Sequence, residues 1–351
     1  MSSTGVPELV AALKNIFNRK TTQFQFGGEE MLKIVSVLFV LTFLVLGIPS
    51  EPSAQGFPSR PITLVIPMAP GDATDVAARA MADELSKVLK VPVIPLNKPG
   101  AGTVVGNDFV VNSKRDGYTI LFATAALISS SVLQPDTVSY DLFTTLTPLG
   151  LVTQNPFPIV VRSDAPYKNF REMVEYGKKN PGKIRCSTMG LGSVGHFDVE
   201  IVNSATGAGI EMVPFKGATP AITALLGGHV EATAVSIGSS ISHMRSGAVK
   251  AMLSSVKVSE FADVPTLKDL GYPQDLLGVW FAFFVPSGIP SEVKATLVSA
   301  VGKVAKDPSV GSKLANLGMV QDFESPDKLL ERMRVQYKIV KEIAKKSGMI
   351  K

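Results

Sequence analysis

Cysteine and histidine are scarce in this chain: one cysteine, Cys186, and three histidines in 351 residues. A lone thiol excludes an internal disulfide, and no set of His, Cys, Asp and Glu has the spacing of a metal centre. Aromatic residues make up only 7%, and the Lys and Arg behind the net charge of +5 are spread along the whole chain. Without a basic stripe or a stacking platform, nucleic acid is excluded as the expected partner. Nucleotide signatures are missing too. Gly100, Gly102 and Gly106 give G-x-G-x-x-x-G rather than the dinucleotide pattern, and no Gly-Lys-Ser/Thr follows for a phosphate loop. The chain is therefore expected to use no cofactor. Its 45% hydrophobic and 19% charged residues are globular composition, long enough for one large or two medium domains.

One apolar run stands apart. Ile34 to Ile48 follows Lys33 and leads into Pro, Ser and Ala, with Ala54 and Gly56 at an acceptable cleavage site. At about 15 residues it is short of the ~20 that a spanning helix wants, and its layout is that of a cleaved export signal. Residues 1–30 sit oddly before such a signal; a start at Met31 explains them more simply.

Past the leader, short apolar runs alternate with segments of helical period. "ITLVIP" reads as a strand buried on both faces, and Val76, Ala77, Ala80, Met81, Leu85, Val88 and Leu89 repeat at helical spacing. "VPVIPLN" and "YTILFAT" continue as strands around a helix in "VVGNDFVVNS". A second series opens near Pro156, and the apolar "VWFAFFVP" precedes three polar-faced terminal helices. Strands alternating with helices predict two α/β lobes, each a mainly parallel sheet covered by helices.

Ligands of such sheets sit beyond the carboxyl ends of strands, where helix N-termini carry free N–H groups and partial positive charge. Four glycine-marked junctions are candidates. At the first, Pro70 and Gly71 turn the chain, Asp72 or Thr74 can cap the helix, and Asp75 falls in its first turn. Gly100 to Thr103 form the second. In the third, Ser187, Thr188, Gly190, Gly192 and Ser193 make a hydroxyl-rich turn, with His196 in the first turn of the helix that follows. In the fourth, Lys216 and Gly217 precede a helix expected to be capped by Thr219, with Pro220 at its first position. Ser193 with His196 could be read as nucleophile and base, but residues three apart on one helix rarely meet at a working angle, and G-x-S-x-G is absent. Without paired carboxylates, a metal set or a strong nucleophile, an exported two-lobed protein with this cleft reads as a binder.

The stretches "FPSRPITLVIPMAPGDATDVAARAMADEL", "NKPGAGTVVGND", "DGYTILFAT", "MGLGSVGHFDVE", "MVPFKGATPAITALLGGHVEAT" and "DVPTLKDLGYP" occur in this order. Together they resemble the substrate-binding receptors of the tripartite tricarboxylate transporters, the Bug proteins, from about Phe57 to the C-terminus. The resemblance implies a two-domain, periplasmic-binding-protein-like Venus flytrap fold that closes over a small carboxylate and hands it to membrane permease subunits. It implies no catalysis, a periplasmic location and a monomer. The implied division is an extension and signal over 1–56, domain I over 57–157 and 280–351, and domain II over 158–279. The implied ligand-binding residues are Pro70, Gly71, Asp72, Thr74, Asp75, Gly100, Ala101, Gly102, Thr103 and Thr124 from the first domain. Ser187, Thr188, Gly190, Ser193, His196, Phe215, Lys216, Gly217, Ala218 and Thr219 come from the second.

Three positions depart from the family pattern: Asp72 replaces its second glycine, Thr103 the last glycine of G-A-G-G, and Val235 an acidic residue. Asp72 matters most, since a carboxylate aimed at a bound carboxylate repels it by roughly 1 kcal/mol in water-like surroundings. Either it turns back to cap its helix, or the ligand carries an amine or is neutral. Two competing readings are a secreted hydrolase using Ser193 and His196, and a ligand sensor that partners a membrane protein.

Overall fold

The computed structural model describes residues 56–351. The expected export signal and the start at Met31 lie outside the described residues. Two sheets organise the chain. Strands β1 (Ile62–Ile66), β2 (Val93–Asn97), β3 (Thr119–Thr124) and β4 (Leu146–Asn155) alternate with helices α1 (Ala73–Leu89), α2 (Val104–Val111) and α3 (Ala126–Leu133). The second sheet takes β5 (Ile159–Arg162), β6 (Arg185–Thr188), β7 (Glu211–Pro214), β8 (Ala232–Ala234) and β9 (Val249–Leu253), with α4 (Phe170–Lys179), α5 (Val194–Thr206), α6 (Ala218–Leu226) and α7 (Ile237–Arg245) between them. The chain ends with β10 (Val279–Pro286), α8 (Ser291–Ala305), α9 (Pro308–Asn316), β11 (Val320–Glu324) and α10 (Pro326–Lys346).

The first sheet has the order β11-β4-β10-β3-β1-β2 and the second β7-β6-β8-β5-β9. Both are α/β, but they are mixed rather than mainly parallel. β1 pairs in parallel with β2 and β3, and β6 with β7 and β8. Antiparallel pairing joins β10 to β3 and β4, and β5 to β8 and β9. The reason lies in the two crossovers. β4 carries the chain out of the first sheet and β10 brings it back, so Asn155 at the end of β4 faces Val279 at the start of β10. Strands that leave and return at the same end of a sheet must run in opposite directions. β5 and β9, which receive and release the chain in the second sheet, obey the same constraint.

Burial follows the apolar runs. Ile62, Leu64, Val65 and Ile66 are inaccessible, as are Ala77, Ala78 and Met81 on the covering face of α1. β10 buries Trp280, Phe281, Phe283 and Phe284, each side chain worth roughly 1.5–3 kcal/mol or more on removal from water. One apolar cluster draws residues from both sheets and includes Trp280, Leu329, Met333 and Val340. Helix α5 lies so close to β8 that a Cβ on Gly195 would meet the Ala234 carbonyl oxygen at 2.5 Å, which requires glycine there. Among the described residues, no helix is long and apolar enough to cross a membrane.

Candidate functional site

Each helix that follows a central strand begins with its own local device. Gly71, at φ 82°, turns the chain out of β1. Asp72 then takes an extended conformation as N-cap of α1, its Oδ1 accepting from the Thr74 amide at 2.8 Å. Asp75 is buried, and both of its oxygens are engaged. It accepts from the Gly71 amide at 2.9 Å, from Arg79 Nε at 3.0 Å and from Asn97 Nδ2 at 2.8 Å, while the same Asn97 nitrogen donates to the Met68 carbonyl at 3.0 Å. Burial alone would raise its pKa; the Arg79, Gly71 and Asn97 bonds outweigh that and bring it down to about 2. Asp75 therefore pins the loop to β2.

At the end of β3, Thr124 Oγ1 accepts from the Ala126 amide at 3.2 Å, and Ala125 at the cap of α3 brings no side chain of its own. At the mouth of α5, Ser193 is the N-cap. Its Oγ accepts from the His196 amide at 3.3 Å and donates to the Gly190 carbonyl at 2.7 Å. His196 is buried, and its Nδ1 accepts from the Gly192 amide at 3.0 Å. Burial lowers the pKa of His196, which keeps the imidazole neutral and suited to that acceptor role. Ser193 Oγ thus meets His196 only at its backbone amide, and the two side chains share no hydrogen bond with each other.

A cavity of about 410 Å³ lies where these mouths converge. Asp72 and Thr74 line it from α1, Thr124 and Ser129 from the β3–α3 junction, and Ser193 from α5. Met68, Ile128, Met189, Phe197, Phe281 and Val340 give it an apolar body, and Asn155, Leu277, Val279 and Gln336 close the side nearest the crossovers. Among the described residues, Asp72 is its sole ionisable lining residue and no Lys, Arg or His contributes to the wall.

Four expected residues, Asp72, Thr74, Thr124 and Ser193, share this wall. The other sixteen do not line it, for identifiable reasons. Pro70 and Gly71 form the exposed turn before α1, and Asp75 in its first turn accepts from the Gly71 amide. Gly100, Ala101 and Gly102 lie on the exposed approach to α2, whereas Thr103 is buried at φ 88°, its Oγ1 accepting from Asn107 Nδ2 at 3.1 Å. Ser187 is buried, its Oγ within hydrogen-bond distance of the Ala221 carbonyl at 2.9 Å and of Thr233 Oγ1 at 2.8 Å, tying β6 to α6 and β8. Thr188 Oγ1 accepts from the Gly190 amide at 3.3 Å, and His196 is held by Gly192. Phe215 and Lys216 stand on the loop after β7, with Lys216 exposed, while Gly217, Ala218 and Thr219 form the start of α6. The expected Thr219 cap is corrected here: Gly217, at φ 112°, is the N-cap, and the helix begins at Ala218. Pro220, expected at the first helical position, is instead the third residue of the helix, where its missing N–H still has no intrahelical acceptor to lose.

Sequence reasoning missed the crossover residues Asn155, Leu277, Val279 and Phe281 and the α10 residues Gln336 and Val340. Helical spacing of Gln336 and Val340 signals a buried stripe but not a cavity wall. Among the described residues, no group of His, Cys, Asp and Glu could hold a metal ion.

Comparison with known proteins agrees with this architecture. Residues 77–349 match the model of the tripartite tricarboxylate transporter family receptor. The chain is 32% identical to Protein BugT of Bordetella pertussis over 302 residues, 85% of this chain and 92% of BugT. It superposes on a TctC solute-binding protein from Polaromonas with a TM-score of 0.76 at 30% identity, covering 83% of this chain and 99% of that one. An R. palustris protein solved with adipate gives a TM-score of 0.62 at 26% identity over 83% of this chain and 98% of its own. The chain belongs to the tripartite tricarboxylate transporter receptor family, the Bug proteins.

Proposed function

We propose that the protein is an extracytoplasmic receptor that captures a small carboxylate in the cavity between its two sheets and delivers it to a tripartite permease. The observation that carries this reading is the convergence of three helix N-termini, α1, α3 and α5, from both sheets on one cavity of about 410 Å³. First-turn amides have no intrahelical acceptors, so such a cavity offers a carboxylate hydrogen bonds and partial positive charge without a cationic side chain. We assign ligand contact to Thr124, Ser129 and Ser193, and the positioning of their loops to Asp75, Ser187, Thr188 and His196. Residues 57–157 with 280–351 and residues 158–279 are the two bodies proposed to close on the ligand, as a monomer, after export through a cleaved signal peptide. The adipate held by the R. palustris relative supports the ligand class.

Binding without turnover is the favoured reading. The Ser193 hydroxyl hydrogen is given to the Gly190 carbonyl and His196 Nδ1 already holds the Gly192 amide, which supports a capping rather than a nucleophilic role. A thermal-shift titration with mono- and dicarboxylates tests the proposal. A ligand at about 100 times its Kd adds ~2.7 kcal/mol of apparent stability. Saturable stabilisation with no ester turnover is expected; ester turnover abolished by Ser193→Ala would replace the receptor with a hydrolase.

A further inference from the structure

The cap of α1 leaves a charge question that the fold answers in an unexpected way. Asp72 does turn back onto its helix, but only with Oδ1; Oδ2 accepts no hydrogen bond from the described residues, and the residue still lines the cavity. Capping and facing the ligand are therefore not alternatives. Among the described residues the same wall has no Lys, Arg or His, so no cationic side chain in it offsets the Asp72 charge. Asn155, also in the wall, leaves its Oδ1 without a donor.

We infer that the cavity selects a ligand with a single carboxylate, an apolar body and an ammonium or similar donor head that meets Asp72, and that it discriminates against dicarboxylates. This rests on the carboxylate-receptor reading and narrows it. The single carboxylate belongs at the α3 and α5 mouths: Ala125 supplies no capping side chain, and Ser193 takes only one of its helix's amides. Its apolar body lies against Met68, Ile128, Met189, Phe197 and Phe281. At the α1 mouth the situation is reversed. There the positive helix end is already answered by Asp72 and Asp75, and the open acceptor is Asp72 Oδ2, which an ammonium with its three donors satisfies. A dicarboxylate would instead bring its second charge to a like charge in a wall without a cation. Asp72 stands exposed at the cavity mouth, and between charges a few ångströms apart near a protein surface that repulsion is worth about tenfold in affinity or more.

Three probes of one chain length separate the contributions: 6-aminohexanoate, hexanoate and adipate, titrated calorimetrically into the full-length protein and into Asp72→Asn. Asparagine caps helices as well as aspartate, so this variant removes the charge and keeps the fold. The native protein is expected to bind 6-aminohexanoate at least about tenfold more tightly than adipate, with hexanoate between them, and Asp72→Asn to shrink that preference about tenfold or more. Adipate binding more tightly than 6-aminohexanoate in the native protein overturns the inference and leaves the carboxylate receptor standing, whatever the variant does. An amine preference that survives in Asp72→Asn also overturns the role given to Asp72. Silence from all three probes in both proteins overturns the inference together with the carboxylate reading beneath it.

Discussion

Asp198 lies on α5, wholly buried, and its Oδ1 accepts from the Leu277 amide at 2.7 Å, fastening the helix to the crossover that re-enters the first sheet. Burial disfavours its charged form more than the Leu277 and Gly278 amides favour it, and its pKa is pushed up to about 8. The unfolded chain holds this proton only below about 3.8. A carboxyl raised in the folded state gives stability that is fully present below pH 3.8 and is lost as pH rises toward 8. Each pH unit of that span is about 1.4 kcal/mol, so folding at pH 7 carries a cost of up to roughly 4 kcal/mol from this one group. Asp198→Asn keeps an acceptor for the Leu277 amide and removes the titration. Chemical denaturation from pH 4 to 8 should show the native protein losing stability across that interval relative to the variant, with the variant more stable at pH 7 by about 2–4 kcal/mol. A variant that is less stable at pH 7 and follows the native pH slope would refute the reasoning, because it would mean that the two amides keep Asp198 ionised in the fold.

The other expectations concern single residues. Ser193→Ala removes the cap of α5 and should cost about 1 kcal/mol in a denaturant titration. Asp75 has a depressed pKa, so its stabilisation is present above pH 3.8 and is lost as pH falls toward 2. Asp75→Asn should cost about 1–2 kcal/mol at pH 7, with Arg79 half exposed and its pairing screened accordingly, and acid unfolding between pH 4 and 2 should flatten. Gly195→Ala pushes a methyl against the Ala234 carbonyl and should lower stability by about 1–3 kcal/mol, read as a lower denaturation midpoint. Burial raises the pKa of the Cys186 thiol, so a thiol-specific reagent should label it only in denaturant.

What the sequence disclosed was local, and what it hid was convergence. Gly71 and Asp72 announce a turn and a cap, and the structure builds both; Ser193 reads only as part of a hydroxyl-rich turn, and the structure makes it the N-cap of α5. Thr124 was reached through the resemblance alone. The stretch "ALISSSVL" hides helix α3, because Ser130 and Ser131 bond back to the carbonyls of Ala126 and Leu127 and serine gives no apolar period. β4 and β11 escape for another reason. β4 is interrupted by Pro148 and Gly150, and β11 is a short, half-buried edge strand whose side chains show no clean alternation. Ser187 and Thr188 show the limit of reading residue types: a hydroxyl at a strand end is chemically apt for a ligand, and only the packing of α6 and β8 shows that the Ser187 hydroxyl is already taken. The apolar wall is drawn from Met68 to Val340, and no local pattern records that those segments meet.

A ligand held in the cavity between the sheets has a built-in reporter in this chain. Trp280 is the only tryptophan, fully buried, and its Nε1 donates to Gln336 Oε1 at 2.8 Å, while Gln336 lines the cavity. Tryptophan fluorescence should therefore be titrated with carboxylates in the native protein and in Ala126→Phe, which fills the cavity at the mouth of α3. A saturable change is expected in the native protein and none in an Ala126→Phe variant that still unfolds cooperatively. A saturable change of equal midpoint in both would place the ligand elsewhere and contradict the account.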